Sequence, residues 1–297
     1  MNATEPSRLP QRFSEGRIGV IAGGGALPLA VIRTLSAHSA DPFVILIDGE
    51  ADDPASYGDV DHLVITLEDV GLLLPQLKKA GVKRLVMAGS VKRRPRLRAV
   101  RWTFSTLKLI PRIAGAISGG DDRLLRTLVA IMEADGITVV GAHEVVPDLL
   151  APRGTLTRVK PTKRDWNDIK AASEAAIAIG RLDIGQAAIA IGGRAVALEG
   201  IEGTEGLLER AIGLRDHGRL AGKRRGALVK LCKPDQEMRA DLPAIGPDTM
   251  DQAHAAGLAG VAVDSGRSFI LEFDATIARA DELGLYLVGL DAEDVRS

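Results

Sequence analysis

The fold is decided by residues 17–35, which read RIGVIAGGGALPLAVIRTL. A short apolar run rich in β-branched residues leads into Gly23, Gly24 and Gly25, and residues at helical spacing follow. This order predicts a strand, a glycine turn and a helix, with Pro28 in the first helical turn, where its missing N–H is not needed. The N–H groups of such a helix start favour an anion such as phosphate. The alternative is that the glycines only permit a tight turn.

The glycine turn fits only part of the dinucleotide-binding fingerprint. Gly23 and Gly25 match its first two glycines, but Pro28 occupies the third position. The next apolar run, residues 43–47, predicts a strand that ends at Asp48, where a dinucleotide enzyme would bind ribose. Because other acids surround Asp48, a plain acidic loop is an equal interpretation. A nicotinamide-dependent oxidoreductase therefore stays a rival function.

Apolar runs and helical patterns continue to alternate along the first half of the chain. Further strands are predicted at residues 63–67, 84–88 and 137–140. The alternation predicts a parallel sheet covered by helices, in a Rossmann-like domain over residues 17–147. Residues 1–16 are polar and contain no apolar stretch, which predicts a disordered tail and not a signal peptide.

The second half of the chain predicts a different α/β domain. Residues 148–164 contain Pro152 and Gly154 and are predicted as a linker, and residues 165–297 as the C-terminal domain. A hairpin is predicted over residues 186–199, which implies some antiparallel pairing. The fold class is therefore α/β, with an N-terminal Rossmann-like parallel-sheet domain, a C-terminal mixed α/β domain, and substrate between them.

Composition excludes several classes of protein. The chain has 297 residues, 46% hydrophobic and 26% charged, with a net charge of −1, so it carries no global bias towards nucleic acid or membrane. Its single cysteine, Cys232, excludes an internal disulfide, follows an apolar run as a core residue would, and suits a reducing cytoplasm. The histidines show no zinc-ligand spacing. No apolar run approaches the roughly 20 residues that span a bilayer.

One segment breaks the neutral balance. Residues 70–120 contain no acid and twelve bases, with apolar residues between the later bases. The bases are Lys78, Lys79, Lys83, Arg84, Lys92, Arg93, Arg94, Arg96, Arg98, Arg101, Lys108 and Arg112. Such a segment could bind phosphates, lie on an anionic membrane surface, grip a lipid with its apolar side, or form a solvated basic face. Nucleic acid is disfavoured because aromatic residues make up only 3% of the chain.

The densest chemistry lies in residues 226–247, which read GALVKLCKPDQEMRADLPAIGP. The apolar start predicts a strand, and the prolines that follow stiffen the next segment into a loop. Its Lys, Arg, Asp and Glu side chains must meet water, each other, a metal or a ligand. A strand that delivers such a loop is typical of active sites in α/β enzymes. The alternative is a solvated loop with local ion pairs.

Two further turns combine small residues with acids. Gly119 and Gly120 precede Asp121 and Asp122. One of these two acids would cap a helix, which leaves the other available to bind a metal or a ribose. Residues 199–205, EGIEGTE, place acids near backbone N–H groups, as a metal or sugar-phosphate site or as ordinary charged turn residues.

Together these motifs resemble one family. The opening GGGALP, GGDD at residues 119–122, EGIEGT at 199–204 and KPDQEMRADLP at 233–243 follow the order found in it. The family is the bacterial UDP-2,3-diacylglucosamine pyrophosphatase of lipid A biosynthesis in its two-domain, LpxI-type form. The resemblance covers roughly residues 17 to 290, and the last motif is its most specific part.

The resemblance implies hydrolysis of the pyrophosphate of UDP-2,3-diacylglucosamine to UMP and 2,3-diacylglucosamine 1-phosphate (lipid X), with Mg²⁺ and with water attacking the phosphorus on the sugar side. Such a reaction needs a cation to offset phosphoryl charge and a base to orient water. A cytoplasmic location follows, with contact at the inner-membrane surface and a homodimer left open. The rivals are the oxidoreductase and a non-catalytic carrier of a nucleotide or an anionic lipid.

The resemblance also yields hypotheses for individual residues. Asp235 leads as metal ligand or water activator because it follows a proline at a strand end, with Glu199 and Glu202 completing the metal ligands. The predicted catalytic residues are Asp235, Gln236, Asp241, Lys233 and Arg239, the last two as phosphate ligands. The predicted substrate-binding residues are Gly24, Gly25, Ala26, Leu27, Asp122, Gly200, Thr204 and Lys230. Apolar residues between Leu97 and Ile117 would shelter acyl chains.

Overall fold

The computed structural model describes residues 16–93, 121–216, 220, 225–291 and 293–294. The predicted tail up to residue 15 lies outside the described residues, and so do the basic residues, the acyl-chain residues and the glycines between 94 and 120. By its internal contacts the chain divides into two compact units. The first unit comprises residues up to Asp148 together with Glu237–Asp241, and the second comprises Leu149–Gln236 and the residues from Leu242 onward.

The first unit is built on a sheet of five parallel strands in the order β3-β2-β1-β4-β5. The strands are β1 Arg17–Ala22, β2 Phe43–Ile47, β3 His62–Ile65, β4 Val82–Ala88 and β5 Thr138–Val140. The helices are α1 Ala26–Ala37, α2 Val70–Lys79, α3 Asp121–Ala134 and the short α4 Ala142–Val145, with 3₁₀ turns at Pro54–Tyr57, Leu67–Asp69 and Pro147–Leu149. This is the strand order of a doubly wound fold, so the Rossmann-like prediction is confirmed.

The sequence of the first unit explains its layers. Every residue of β2 is buried, as expected for a parallel strand that is covered on both faces. Val31 and Leu35, one turn apart on α1, are fully buried, and so is Leu77 of α2. The strand order reverses between β1 and β4, so the carboxyl ends of these two strands form the point where doubly wound folds bind ligands.

The second unit contains a six-stranded mixed sheet in the order β6-β13-β11-β9-β7-β8 and a separate parallel pair, β10 and β12. The strands are β6 Gly154–Thr155, β7 Ala187–Ala190, β8 Ala195–Leu198, β9 Ala227–Lys230, β10 Ala244–Ile245, β11 Gly260–Asp264, β12 Phe269–Ile270 and β13 Tyr286–Leu290. The helices are α5 Lys163–Arg181, α6 Gly203–Asp216, α7 Pro247–Ala255 and α8 Phe273–Glu282. Strands β9, β11 and β13 are parallel, whereas β7 and β8 form the predicted antiparallel hairpin, which confirms a mixed α/β domain.

Local details differ from the sequence predictions. Residues 148–164, predicted as a linker, include β6, which pairs with β13. Helix α5 is capped by Thr162, and Asp165 is its capping-box partner, accepting a hydrogen bond from the Thr162 N–H at 2.8 Å. Helix α6 begins at Gly203, so Thr204 lies in its first turn.

Candidate functional site

The carboxyl edge of the second unit's sheet gathers the polar residues of this unit. Strands β9 and β11 end there at Lys230 and Asp264, and β8, antiparallel to β7, ends at the same edge before Glu199. The Glu199 N–H donates to the Ala187 carbonyl, and the Leu231 N–H donates to the Gln186 carbonyl. Two strand spacings separate β8 from β9, which places their backbones about 10 Å apart.

A tight turn follows β9 and presents Asp235. Leu231 and Cys232 are buried, which confirms Cys232 as a core residue. The Gln236 N–H donates to the Lys233 carbonyl at 3.2 Å, and the Gln236 side-chain oxygen accepts from the Lys233 N–H at 2.9 Å. These bonds close a β-turn with Pro234 at its second position, where the fixed φ of proline is favourable. Asp235, at the third position, is exposed on a rigid support.

Both lysines at this edge already contact acceptor groups of the protein. Lys233 has a side chain that is only 15% exposed, and its ammonium group lies 2.6 Å from the Asp183 carboxylate. Lys230 donates from Nζ to the Ala244 carbonyl at 2.9 Å. Asp183 follows α5 and has a positive φ of 54°, which turns the chain towards the loop. A phosphate would therefore share Lys233 with Asp183.

Asp264 and Arg267 support the start of the loop. The Arg267 guanidinium donates to the Cys232 sulfur at 3.4 Å and lies 3.9 Å from the Asp264 carboxylate. Burial raises the pKa of Asp264 above its usual range, while Arg267 and the Cys232 N–H, which donates to this carboxylate, oppose the shift. A partly buried acid with a perturbed pKa at the carboxyl edge of a sheet is a candidate site residue.

The following residues, Glu237–Asp241, form what we call the distal loop segment, which belongs to the first unit. The Arg239 guanidinium binds both oxygens of Glu237, at 2.8 and 2.9 Å, and a Glu133 oxygen at 2.6 Å. The hydrogen bonds from Arg239 lower the pKa of Glu237 below its usual range. Asp241 is exposed, and its N–H donates to the Glu237 carbonyl at 3.1 Å. The predicted phosphate ligand Arg239 is thus occupied by two carboxylates.

Asp122, a predicted substrate ligand, lies on α3 of the first unit and is 7% exposed. Its Oδ1 accepts a hydrogen bond from the Glu237 N–H at 2.9 Å, and its other oxygen pairs with Arg126. The structure therefore brings Asp122 to the distal loop segment.

The predicted acidic turn after β8 has internal partners. Glu199 is 6% exposed, and its two oxygens accept hydrogen bonds from the Gln186 N–H and the Thr204 hydroxyl, each at 2.6 Å. Glu202 pairs with Arg210 at 2.6 Å. Gly200 lies between them, and a Cβ at this position would meet a Glu202 oxygen at 2.7 Å. Glu199 is thus a buried acid that joins the ends of the hairpin to α6.

The glycine turn of the first unit is partly explained by close backbone contacts. The Gly24 N–H donates to the Ser90 carbonyl at 2.8 Å, and the Ser90 N–H returns a bond of 2.9 Å. A Cβ on Gly23 would lie 2.3 Å from the same Ser90 oxygen, so this position requires glycine. Gly25, with φ 90°, precedes α1, and the Leu27 side chain lies in the core. The N–H groups that start α1 at Ala26 have no intrahelical acceptor and suit an anion.

The described residues do not gather the predicted metal ligands. In the part of the chain that the structure describes, no group of three or more His, Cys, Asp or Glu side chains is placed to hold a metal ion. Glu199 and Glu202 are engaged as above, whereas Asp235 is exposed on its turn. A single carboxylate fits Mg²⁺, which takes one or two carboxylates and keeps several waters.

Sequence reasoning did not single out four of these residues. They are Asp183, Glu133, Asp264 and Arg267. Asp264 had a usable signal, because it directly follows the apolar run at residues 260–263 and acids at the carboxyl ends of parallel strands meet at one edge. Glu133 had no such signal, since only tertiary structure brings α3 beside Arg239.

The chain is similar to known proteins over most of its length. The family model of the LpxI N-terminal domain matches residues 17–149, and that of the LpxI C-terminal domain matches residues 152–288. A protein of Caulobacter vibrioides named UDP-2,3-diacylglucosamine pyrophosphatase LpxI is 37% identical over 280 residues, which cover 94% of this chain and 99% of that relative. The chain belongs to the LpxI family. This confirms the resemblance inferred from the motifs.

The LpxI matches span every candidate residue described above. The glycine turn and Asp122 fall within the N-terminal match, and Glu199, the Asp235 turn and Asp264 within the C-terminal match. Among the described residues of this LpxI family member, no helix has the length and apolar character needed to cross a bilayer.

Proposed function

We propose that this chain hydrolyses the pyrophosphate of UDP-2,3-diacylglucosamine, releasing UMP and lipid X, as a step of lipid A biosynthesis. The observation that carries the proposal is the 37% identity, over 94% of the chain, to a relative named for that activity. The exposed Asp235, on a proline-stiffened turn at the carboxyl edge of a parallel strand pair, supports it.

Asp235 is the residue to which we assign the central role. Pyrophosphate hydrolysis needs a group that orients or deprotonates water, and an exposed carboxylate on a rigid turn can do this without moving the backbone. Lys233, whose ammonium group is already held near the turn by Asp183, adds positive charge beside it. This charge offsets the charge that develops on the phosphoryl oxygens.

Mg²⁺ is part of the proposal, with Asp235 as its protein ligand. When bound, the ion would supply charge neutralisation for the diphosphate. Glu199 is less suited to bind the ion, because both of its oxygens already accept hydrogen bonds from the protein. Gln236 is a structural residue in this proposal, because its side-chain oxygen accepts the hydrogen bond from Lys233 that closes the turn carrying Asp235.

The start of α1 is the place to which we assign the nucleotide diphosphate on the first unit. The N–H groups at Gly25 and Ala26 follow a turn at the carboxyl end of β1, where doubly wound folds bind phosphates. A cytoplasmic location with peripheral contact at the inner membrane is part of the same proposal, since the substrate carries acyl chains. Dimerisation stays a prediction that light scattering can test.

The test is incubation of the purified chain with UDP-2,3-diacylglucosamine in ¹⁸O-labelled water, with and without Mg²⁺. We expect UMP and lipid X, dependence on Mg²⁺, and label in the phosphate of lipid X, because water is expected to attack the phosphorus on the sugar side. Substrate binding without UMP release would favour the non-catalytic carrier. A fluorescence titration showing tight NAD(P)H binding, without UMP release, would favour the oxidoreductase.

A further inference from the structure

The distal loop segment is held to the body of the first unit by three kinds of contact. The Glu237 N–H donates to Asp122, and Arg239 bridges Glu237 and Glu133. Ala240 packs against the hydrophobic cluster of the first unit. Asp235 lies only two residues before this segment, so a single residue, Gln236, separates it from the anchor.

The surroundings of Arg239 are unsuited to a phosphate ligand. An arginine has five N–H donors in a fixed fork, and here Nε, Nη1 and Nη2 all donate to carboxylates. Two carboxylates around one guanidinium leave a net negative charge, which repels a diphosphate. The bidentate contact with Glu237 also fixes the guanidinium plane, as such paired hydrogen bonds do.

We propose that Arg239 and Glu133 form a positioning pair, which anchors the distal loop segment and thereby holds the Asp235 turn in its working geometry. Arg239 then acts through Asp235 and does not bind phosphate. The inference rests on the proposed function, because the quantity that it controls is the rate of pyrophosphate cleavage.

The two roles of Arg239 predict different results for Glu133→Gln. In a positioning pair, loss of the Glu133 charge loosens the segment and lowers kcat. In a phosphate site, the same change relieves Arg239 of a competing carboxylate and leaves kcat unchanged or lowers KM. The glutamine keeps the size of the side chain, so packing is little altered.

The experiment compares Glu133→Gln, Arg239→Met, the double variant, and Asp135→Asn as the matched control. Asp135 follows the same helix and pairs with Lys78 at a similar exposure, 36% against 42% for Glu133, without contacting the loop. We expect Arg239→Met, which removes both ion pairs, to lower kcat by roughly 10- to 100-fold, since a displacement of about 1 Å can cost about 100-fold. Glu133→Gln weakens one exposed pair and should lower kcat by roughly two- to fivefold. KM should stay within about threefold, and Asp135→Asn should retain the wild-type kcat.

The double variant should be no slower than Arg239→Met alone, because both changes break the same pair. A wild-type kcat in Glu133→Gln, a large rise in KM in Arg239→Met, or multiplied effects in the double variant would each overturn the proposal. Thermal unfolding shows whether each variant is folded.

Hydrogen exchange supplies a readout that does not depend on activity. In Glu133→Gln, amide exchange of residues 235–241 should become roughly two- to fivefold faster, as the loss of one exposed ion pair allows, while α3 keeps its protection. Unchanged exchange would overturn the anchoring role even for a variant too unstable to assay. If the wild type releases no UMP, the proposed function is wrong, and hydrogen exchange still tests whether Arg239 and Glu133 anchor the segment. If the wild type and the variants are equally active, the proposed function stands and only the positioning role of the pair is wrong.

Discussion

Glu199 provides a sharp test of whether a predicted metal ligand is a structural residue. Its carboxylate is 6% exposed and accepts hydrogen bonds from the Gln186 N–H and the Thr204 hydroxyl. A hydrogen bond to a charged group contributes about 1.5–3 kcal/mol, so Glu199→Ala, which removes two, should lower the free energy of unfolding by about 3–6 kcal/mol. Thr204→Val, which removes one of the two bonds, should cost about 1.5–3 kcal/mol.

The assay is urea unfolding followed by the fluorescence of Trp166, which lies on α5 of the second unit. Trp102→Phe in every variant leaves Trp166 as the single tryptophan, since the chain has 2. The matched control is Glu202→Ala, three residues away, whose carboxylate is 35% exposed and paired with Arg210. Such an exposed pair contributes only about 0.2–1 kcal/mol.

The structural role is refuted if Glu199→Ala unfolds like Glu202→Ala yet releases no UMP. That result would indicate that Glu199 binds the substrate or the metal. A large loss of stability in Glu199→Ala, with the activity of Glu202→Ala unchanged, would instead separate both acids from the chemistry.

Three further predictions concern the glycine turn, the ion pair and a buried hydroxyl. Gly23→Ala should lower the free energy of unfolding by about 1–3 kcal/mol, read by thermal unfolding, because its Cβ would press on the Ser90 backbone. Arg239 lowers the folded-state pKa of Glu237, so the pair stabilises the chain above the usual glutamate pKa of about 4.3, and this contribution disappears as pH falls through the lowered value. Arg239→Met should therefore lose less stability than the wild type between about pH 5 and 3; an equal loss in acid unfolding curves would contradict this. Tyr286→Phe should leave stability unchanged or raise it by up to about 1 kcal/mol, since no described residue hydrogen-bonds the buried hydroxyl; a clear loss in urea unfolding would show an unrecognised partner.

Local patterns were sufficient to predict the layered fold. The alternation of apolar runs and helical patterns along the first half of the chain predicts a parallel sheet covered by helices, because strand and helix periodicity are properties of neighbouring residues. The prolines around Asp235 similarly predict a stiff exposed turn, since each restricts its own φ and the residue before it. Both features are present.

Contacts between distant segments could not be predicted in the same way. The bond between Gln186 and Glu199 depends on the pairing of β7 with β8, and the bond between Arg239 and Glu133 depends on the place of α3. The sequence shows that acids and bases are abundant in these turns, but it does not show which of them neutralise each other.

The central claim is that Asp235 on its rigid turn drives cleavage of the diphosphate, and one measurement tests it directly. UMP release from UDP-2,3-diacylglucosamine is followed for the wild type, Asp235→Ala, and Asp248→Ala as an exposed acid at the start of α7. We expect Asp235→Ala to lose at least about 100-fold in kcat, as removal of a proton-transfer group typically does, with unaltered thermal unfolding and full activity in Asp248→Ala. UMP release at the wild-type rate by a folded Asp235→Ala variant would contradict the claim.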